Sequence, residues 1–470
     1  RYARPTRRAW LARGSRRARS SRATDLGGHA RPARDRGAGG DVRKDDVRER
    51  GRIEVHVPEA LIPAEIRALR LPALLPVRSP PPSPPLADPR RAVRDALEQV
   101  LRSSWTGARP APRVALALGS RGLGAYASLV AGALDALQAV GARAFLMPAM
   151  GSHGGGTPEG QAAVLHEYGL VPPGVEVDAD DATRTIGTLP EGVPVHASNV
   201  ALAADAVVVL NRVKSHTGFR GPVESGLTKM LVIGLGKRPG AAAMHARGYA
   251  GFADRLVAAR EIARAHYPPT FGVAILEDAM GRPSRVEAHP AEAWDTEEPR
   301  LLREAKAQMP RLPFEKLDLL VVERAGKDIS GLGMDPNVTG RFAGGAPAAP
   351  DPTRVALLAL TPASEGNASG MGHADVVPAS FAASVDPVPT WMNAITSTSL
   401  GSARMPMVTP DARICVQVAL ATCGVRPEAA RIAWIRDTAS LAAFHVSHAA
   451  WMTATTPLNV VGDPIVPGLA

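Results

Sequence analysis

Arg113-Val114-Ala115-Leu116-Ala117-Leu118 is a short apolar run that stops at Gly119-Ser120-Arg121-Gly122. A strand buried on both faces reads this way, with no polar alternation and a glycine-rich exit. A helix-like segment follows from Ala125 to Val140, and then the order repeats. Ala144-Phe145-Leu146-Met147 leads into Gly151-Ser152-His153-Gly154-Gly155-Gly156-Thr157-Pro158-Glu159 and a second helix through Glu167. Ala206-Val207-Val208-Val209-Leu210 delivers Asn211-Arg212-Val213-Lys214-Ser215-His216. Buried strands alternating with helices predict an α/β fold whose sheets are mostly parallel and flanked by helices. Ligands of such sheets sit where the carboxyl ends of the strands open into loops, and each polar cluster just quoted lies at such an end.

Outward from this core, Phe271-Gly272-Val273-Ala274-Ile275-Leu276 is expected to close the first domain, followed by a polar helical stretch to Met309. Leu317-Asp318-Leu319-Leu320-Val321-Val322 starts another strand, loop and helix series, which places a boundary near Pro310 to Pro313. Two α/β domains are therefore expected, over 53–310 and 311–470. The second has a loop motif of its own, from Ser330 to Arg341. Toward the amino end, Ile53-Glu54-Val55-His56-Val57 alternates like a half-buried strand, and the proline-rich stretch from Pro76 to Pro85 reads as a connector in extended conformation. No repeat at solenoid period is evident.

The chain has 470 residues, 4% aromatic content and two cysteines, Cys415 and Cys423. Its cores must be built from Ala, Val and Leu, and a disulfide scaffold or a cysteine-ligated zinc or iron–sulfur site lacks ligands. The net charge of +10 is concentrated in residues 1–52, which hold 17 Lys+Arg and 6 Asp+Glu, so that 38 basic and 39 acidic residues remain for the body. The opening segment is read as a disordered basic tail, and the neutral body does not ask for nucleic acid. Without a long apolar run or a signal-like start, a cytoplasmic location and no membrane partner are expected.

Four clusters carry residue types suited to chemistry. His153 sits among glycines before a helix start, where a backbone can approach an anion and an imidazole can exchange protons; a glycine-rich turn with an incidental histidine is the alternative. His216 lies among Arg212, Lys214 and Arg220, which attract anions and favour neutral imidazole, or else form a solvated basic loop. Lys229 stands against the apolar Met230-Leu231-Val232-Ile233, where an amine is either desolvated and reactive or simply snorkels. His245, in Ala243-Met244-His245-Ala246-Arg247, is either a ligand on a helix face or an ordinary surface or core histidine. Arg121 follows a strand end and suits a carboxylate clamp. His373, in Gly370-Met371-Gly372-His373, is a weaker candidate.

Ser152-His153-Gly154-Gly155, Asn211 to His216, Lys229 and His245, in this order, resemble the nickel-pincer lactate racemase family, in its broad branch of lactate racemase-domain proteins. The resemblance runs from about Ile53 onward and includes Met334-Asp335-Pro336-Asn337-Val338-Thr339-Gly340-Arg341. It implies an isomerase, a racemase or epimerase of small 2-hydroxy acids. It also implies a nickel-pincer nucleotide, the pyridinium-3-thioamide-5-thiocarboxylic acid mononucleotide, made by cofactor maturation proteins. Carried over by position, Lys229 is the attachment lysine, His245 the nickel ligand, and His153 and His216 the paired bases. Arg121 holds the substrate carboxylate, Asn337 and Arg341 are further substrate contacts, and Gly154, Gly155 and Lys214 join Lys229 in binding the cofactor. The active site is expected in the cleft between the domains. The chain departs from the family pattern in two places. Thirteen positions separate His216 from Lys229, and Leu118 stands where an aspartate is expected before Arg121. Both departures leave lactate itself open as the substrate, and a substituent larger or more apolar than its methyl is not sized by the sequence. A non-catalytic anion- or nucleotide-binding homologue and a nicotinamide-type hydroxy acid oxidoreductase are the alternative functions.

Overall fold

A computed structural model describes residues 55–79, 84–105, 110–120, 122–151, 153–341 and 349–466. The basic tail and Arg121 lie outside the described residues. In chain order the strands of the first half are β1 (Leu75–Arg78), β2 (Arg113–Leu118), β3 (Arg143–Pro148), β4 (Thr183–Thr188), β5 (Pro194–Ser198), β6 (Ala206–Arg212), β7 (Thr270–Glu277) and β8 (Pro283–Pro290). β2, β3, β6, β7 and β8 form one sheet in the order β3-β2-β6-β7-β8, while β4 and β5 make a separate hairpin. The pairs β2–β3, β2–β6 and β6–β7 are parallel, and β8 closes the edge antiparallel to β7. Val114 to Leu118 and Ala206 to Leu210 are all buried, because helices cover both faces. Each Leu or Val sealed this way contributes about 1.5–3 kcal/mol.

The expected helices form over Tyr126–Ala139 and Pro158–Glu167, and the second starts where its sequence says it should. Thr157 caps it by accepting from the Gly160 N–H, with Pro158 in the first turn, where no donor is needed. The polar stretch forms Trp294–Gln308, after which the chain passes to the second sheet. That sheet contains β9 (Lys316–Ala325), β10 (Asp351–Leu360), β11 (Val376–Pro378), β12 (Met407–Thr409), β13 (Ile432–Ile435), β14 (Ala443–Val446) and β15 (Asn459–Val460). Its order is β12-β11-β10-β9-β13-β14-β1-β15. The strands from β12 to β13 run parallel, and the β14, β1 and β15 edge is antiparallel.

Two expectations at the amino end are corrected. Residues 55–58 form no strand, so the alternation there does not mark a ladder. The first strand instead contains Pro76, inside the stretch read as a connector, and it joins the second sheet rather than the first. Proline is tolerated because its carbonyl does the work here, accepting from the Val461 N–H at 2.9 Å.

Candidate functional site

Loops after β2, β3 and β6 and loops after β9 and β10 wall one cavity of about 1550 Å³. Among the described residues its wall carries six cations, Arg212, Lys214, Arg220, Lys229, Arg238 and Arg404, against one carboxylate, Asp254. Such a wall concentrates anions.

Lys229 ends the short helical turn Leu227–Lys229, which runs on into the π-helical turn Met230–Gly234. The start of this element is fixed from a distant helix. Glu298 accepts from the Thr228 N–H at 3.0 Å and from the Thr228 hydroxyl, and burial pushes its carboxyl pKa up. Gly226 must lack a side chain, since a Cβ there would stand 2.1 Å from Glu298 Oε1. Asn211 at the end of β6 donates to the Gly226 carbonyl at 3.0 Å, tying strand and turn together. All five residues of the π-helical turn are buried, so this wider turn, a form frequent at functional sites, is held in place by packing.

His216 belongs to a loop organised by Glu224, whose buried carboxylate accepts from the His216 N–H at 2.7 Å, Ser215 Oγ at 3.0 Å and Lys306 Nζ at 2.6 Å. The ring is therefore placed by its own backbone. Gly218 N–H donates to His216 Nδ1 at 2.9 Å, and Nε2 stands 2.9 Å from Lys229 Nζ. A neutral imidazole has one acceptor nitrogen, which Gly218 occupies, so the proton lies on Nε2. The contact with Lys229 is then a hydrogen bond only when the amine accepts, which a free amine does and an ammonium does not.

His245 ends the helix Lys237–His245 and bonds the Ala241 carbonyl through Nδ1 at 2.7 Å. Donation there places the lone pair on Nε2, the usual arrangement of a metal-ligating histidine. Burial, with Lys229 and Arg255 nearby, lowers its pKa and keeps it neutral. Tyr249 joins the two sites, with its ring 6.1 Å from His245 and 5.9 Å from His216. His153 is exposed on the cavity wall, with Nδ1 engaged by Ser120 Oγ, and Gln161 Nε2 braces its loop by donating to Gly151 O and His153 O at 3.0 and 3.1 Å.

No family model and no curated protein matches the chain. Among solved structures it is similar to the lactate racemase apoprotein of Thermoanaerobacterium thermosaccharolyticum, with 12% identity, 78% of this chain and 99% of that chain covered, and a TM-score of 0.44. It is also similar to a structural-genomics protein of Thermotoga maritima, with 14% identity, 58% and 71% covered, and a TM-score of 0.42.

The cavity thus brings His153, Lys214, His216, Lys229 and His245 to one wall, and His373 to the same space. Other candidates are engaged elsewhere. Asn337 accepts from Ser215 Oγ at 3.2 Å and donates to Asp335 at 2.7 Å, so it links the two loops rather than facing the cavity. Arg341 is held by Asp375 at 2.8 Å and by the carbonyls of Pro352 and Thr353 at 3.1 Å. Gly154 and Gly155 lie off the wall, in a turn of positive φ beside the helix Pro158–Glu167. Glu224, Glu298 and Gln161 are positioning residues that the sequence alone did not single out. Glu287, His289 and Glu297 bring ligand atoms within 4.8 Å of one another, but Arg300 and Arg285 already neutralise Glu287 there. Both thiols are buried, and burial pushes each up to about 12.

Among the described residues no helix is long and apolar enough to cross a membrane.

Proposed function

We propose that this chain is a 2-hydroxy acid racemase or epimerase that carries a nickel-pincer nucleotide on Lys229, with His245 as the protein ligand to nickel. The observation that carries the reading is the pairing of Lys229 Nζ with His216 Nε2 in one cavity with His153 and His245. Covalent attachment requires Lys229 to react as the neutral amine, the form that can accept from His216 Nε2. The His245 lone pair and the cationic wall suit a metal and a phosphate-bearing group. When bound, the group supplies reversible hydride acceptance from the substrate's α-carbon.

The chain's own residues then bind the acid and move the proton. Lys214 offsets the carboxylate, while Arg212 and Arg220 are already paired with Glu277 and Glu224. One imidazole takes the hydroxyl proton and the other returns it from its own position. For His153, with Nδ1 engaged by Ser120, Nε2 is the atom that exchanges a proton. For His216, which carries its proton on Nε2 here, taking a proton at that nitrogen requires the other tautomer, with the Gly218 N–H contact given up. The two sheets would serve as the cores of the two domains, with the cavity as the cleft between them.

The test is a chiral assay of 2-hydroxy acids on full chain loaded by the cofactor maturation proteins. Interconversion of enantiomers without any change in nicotinamide absorbance supports the reading, and His153→Ala or His216→Ala should lower turnover about 10²-fold or more while the cofactor stays bound. A change in nicotinamide absorbance identifies an oxidoreductase instead. Acid binding without turnover in loaded protein identifies a binding homologue.

A further inference from the structure

We infer that the substrate's substituent is bulky and apolar, and that it seats in a groove beside the main cavity. This rests on reading the cavity as a hydroxy acid site. The helix Pro387–Thr396 leaves Val388, Trp391, Met392 and Ile395 between 52% and 60% exposed, at the i, i+3, i+4, i+7 spacing of one helix face. An amphipathic helix normally buries that face, and here Thr390 and Ala394 are the buried residues instead. Trp391 and Ile395, with Ala394, Leu400, Ala403 and Arg404, line a second cavity of about 280 Å³.

Ile395, Leu400 and Arg404 belong to the walls of both cavities, so the groove is continuous with the cationic site. Arg404 makes no side-chain hydrogen bond or ion pair with the described residues, and it stands at the junction, where an acid's head meets its tail. The remaining lining is apolar. The groove's volume exceeds the roughly 150 Å³ of a cavity that takes up benzene. An aryl ring or a medium-length alkyl chain fits it, and a methyl group leaves it unfilled. The class of substrate is therefore an arylalkyl or medium-chain 2-hydroxy acid: the anionic head lies among the cations and the apolar tail covers Trp391 and Ile395.

The experiment is calorimetric titration of the full chain with lactate, 3-phenyllactate and 2-hydroxyoctanoate, repeated on Trp391→Ala and Ile395→Ser. The wild-type protein should bind the two bulky acids at least tenfold more tightly than lactate, and each variant should cut that ratio to about threefold or less. Trp391 is exposed, so its removal does not threaten folding; circular dichroism of both variants checks this. A ratio near one in the wild-type protein, or an unchanged ratio in both variants, overturns the inference and leaves the hydroxy acid reading standing. Failure of all three acids to bind overturns both. Sedimentation that shows a dimer dissolved by Trp391→Ala assigns the face to a second copy of the chain and also overturns the inference.

Discussion

His216 accepts the Gly218 N–H at Nδ1 and turns its other nitrogen to Lys229, so one backbone amide decides which ring nitrogen meets the lysine. The consequence is testable without cofactor. In unloaded protein near neutral pH, ¹⁵N-detected spectra of the histidine rings should show His216 protonated at Nε2 and not at Nδ1. A ring protonated at Nδ1 would mean that Gly218 does not donate there and that the amine is not held as an acceptor. The same scale explains His245, whose Nδ1 bond to the Ala241 carbonyl fixes the lone pair on the opposite nitrogen. Neither tautomer is written in the sequence, because the partners are backbone groups brought up by local turns.

The turn that bears Lys229 depends on one close approach. Gly226→Ala would drive a methyl group into Glu298, 2.1 Å from its Oε1, and displace the carboxylate that holds Thr228. Overpacking of this kind costs about 1–3 kcal/mol. Urea unfolding should show a loss of that size, and the variant should take up less cofactor on Lys229; an unchanged midpoint and unchanged loading would contradict the role given to Glu298. At this scale the parallel strands were legible, since Val114 to Leu118 and Ala206 to Leu210 are buried on both faces and read as unbroken apolar runs. The helix after Thr157 was legible for the same local reason, a cap and a proline in order. Glu298 was not, because it acts on Thr228 from seventy positions away. Nor was β1, whose Pro76 counts against a strand until its antiparallel neighbours are known. Among the candidates, His153 and His216 stood out by glycine-rich and basic neighbours and Lys229 by the apolar run after it, whereas Asn337 and Arg341, implied only by the resemblance, are taken up by neighbouring protein groups in the fold.

Across the whole molecule, both parallel arrays turn the carboxyl ends of their strands to one cavity, and a buried lysine helps to lock the first array to the helix that bears His245. Lys237 is fully enclosed, with φ of +53°, and donates to the Pro148 carbonyl at the end of β3 at 2.7 Å. Burial lowers its pKa from 10.5 to about 8, with Asp181, Asp178 and Asp180 opposing the shift. Since the folded value is the lower one, the unfolded chain binds the extra proton between pH 8 and 10.5, and stability rises with pH through that window. The gain is about 3 kcal/mol for the full shift. Urea unfolding of the wild-type protein and Lys237→Met between pH 7 and 10.5 should show the wild type gaining on the variant as pH rises; parallel profiles would contradict the burial of a neutral lysine. Under the proposed function, this cavity would hold a nickel cofactor attached covalently to Lys229. This is tested most directly by peptide mass mapping and nickel determination on full chain produced with the cofactor maturation proteins. One mass increment is expected, on the peptide containing Lys229, with about one nickel per chain that His245→Ala loses; unmodified Lys229 in metal-free protein would overturn the proposed function.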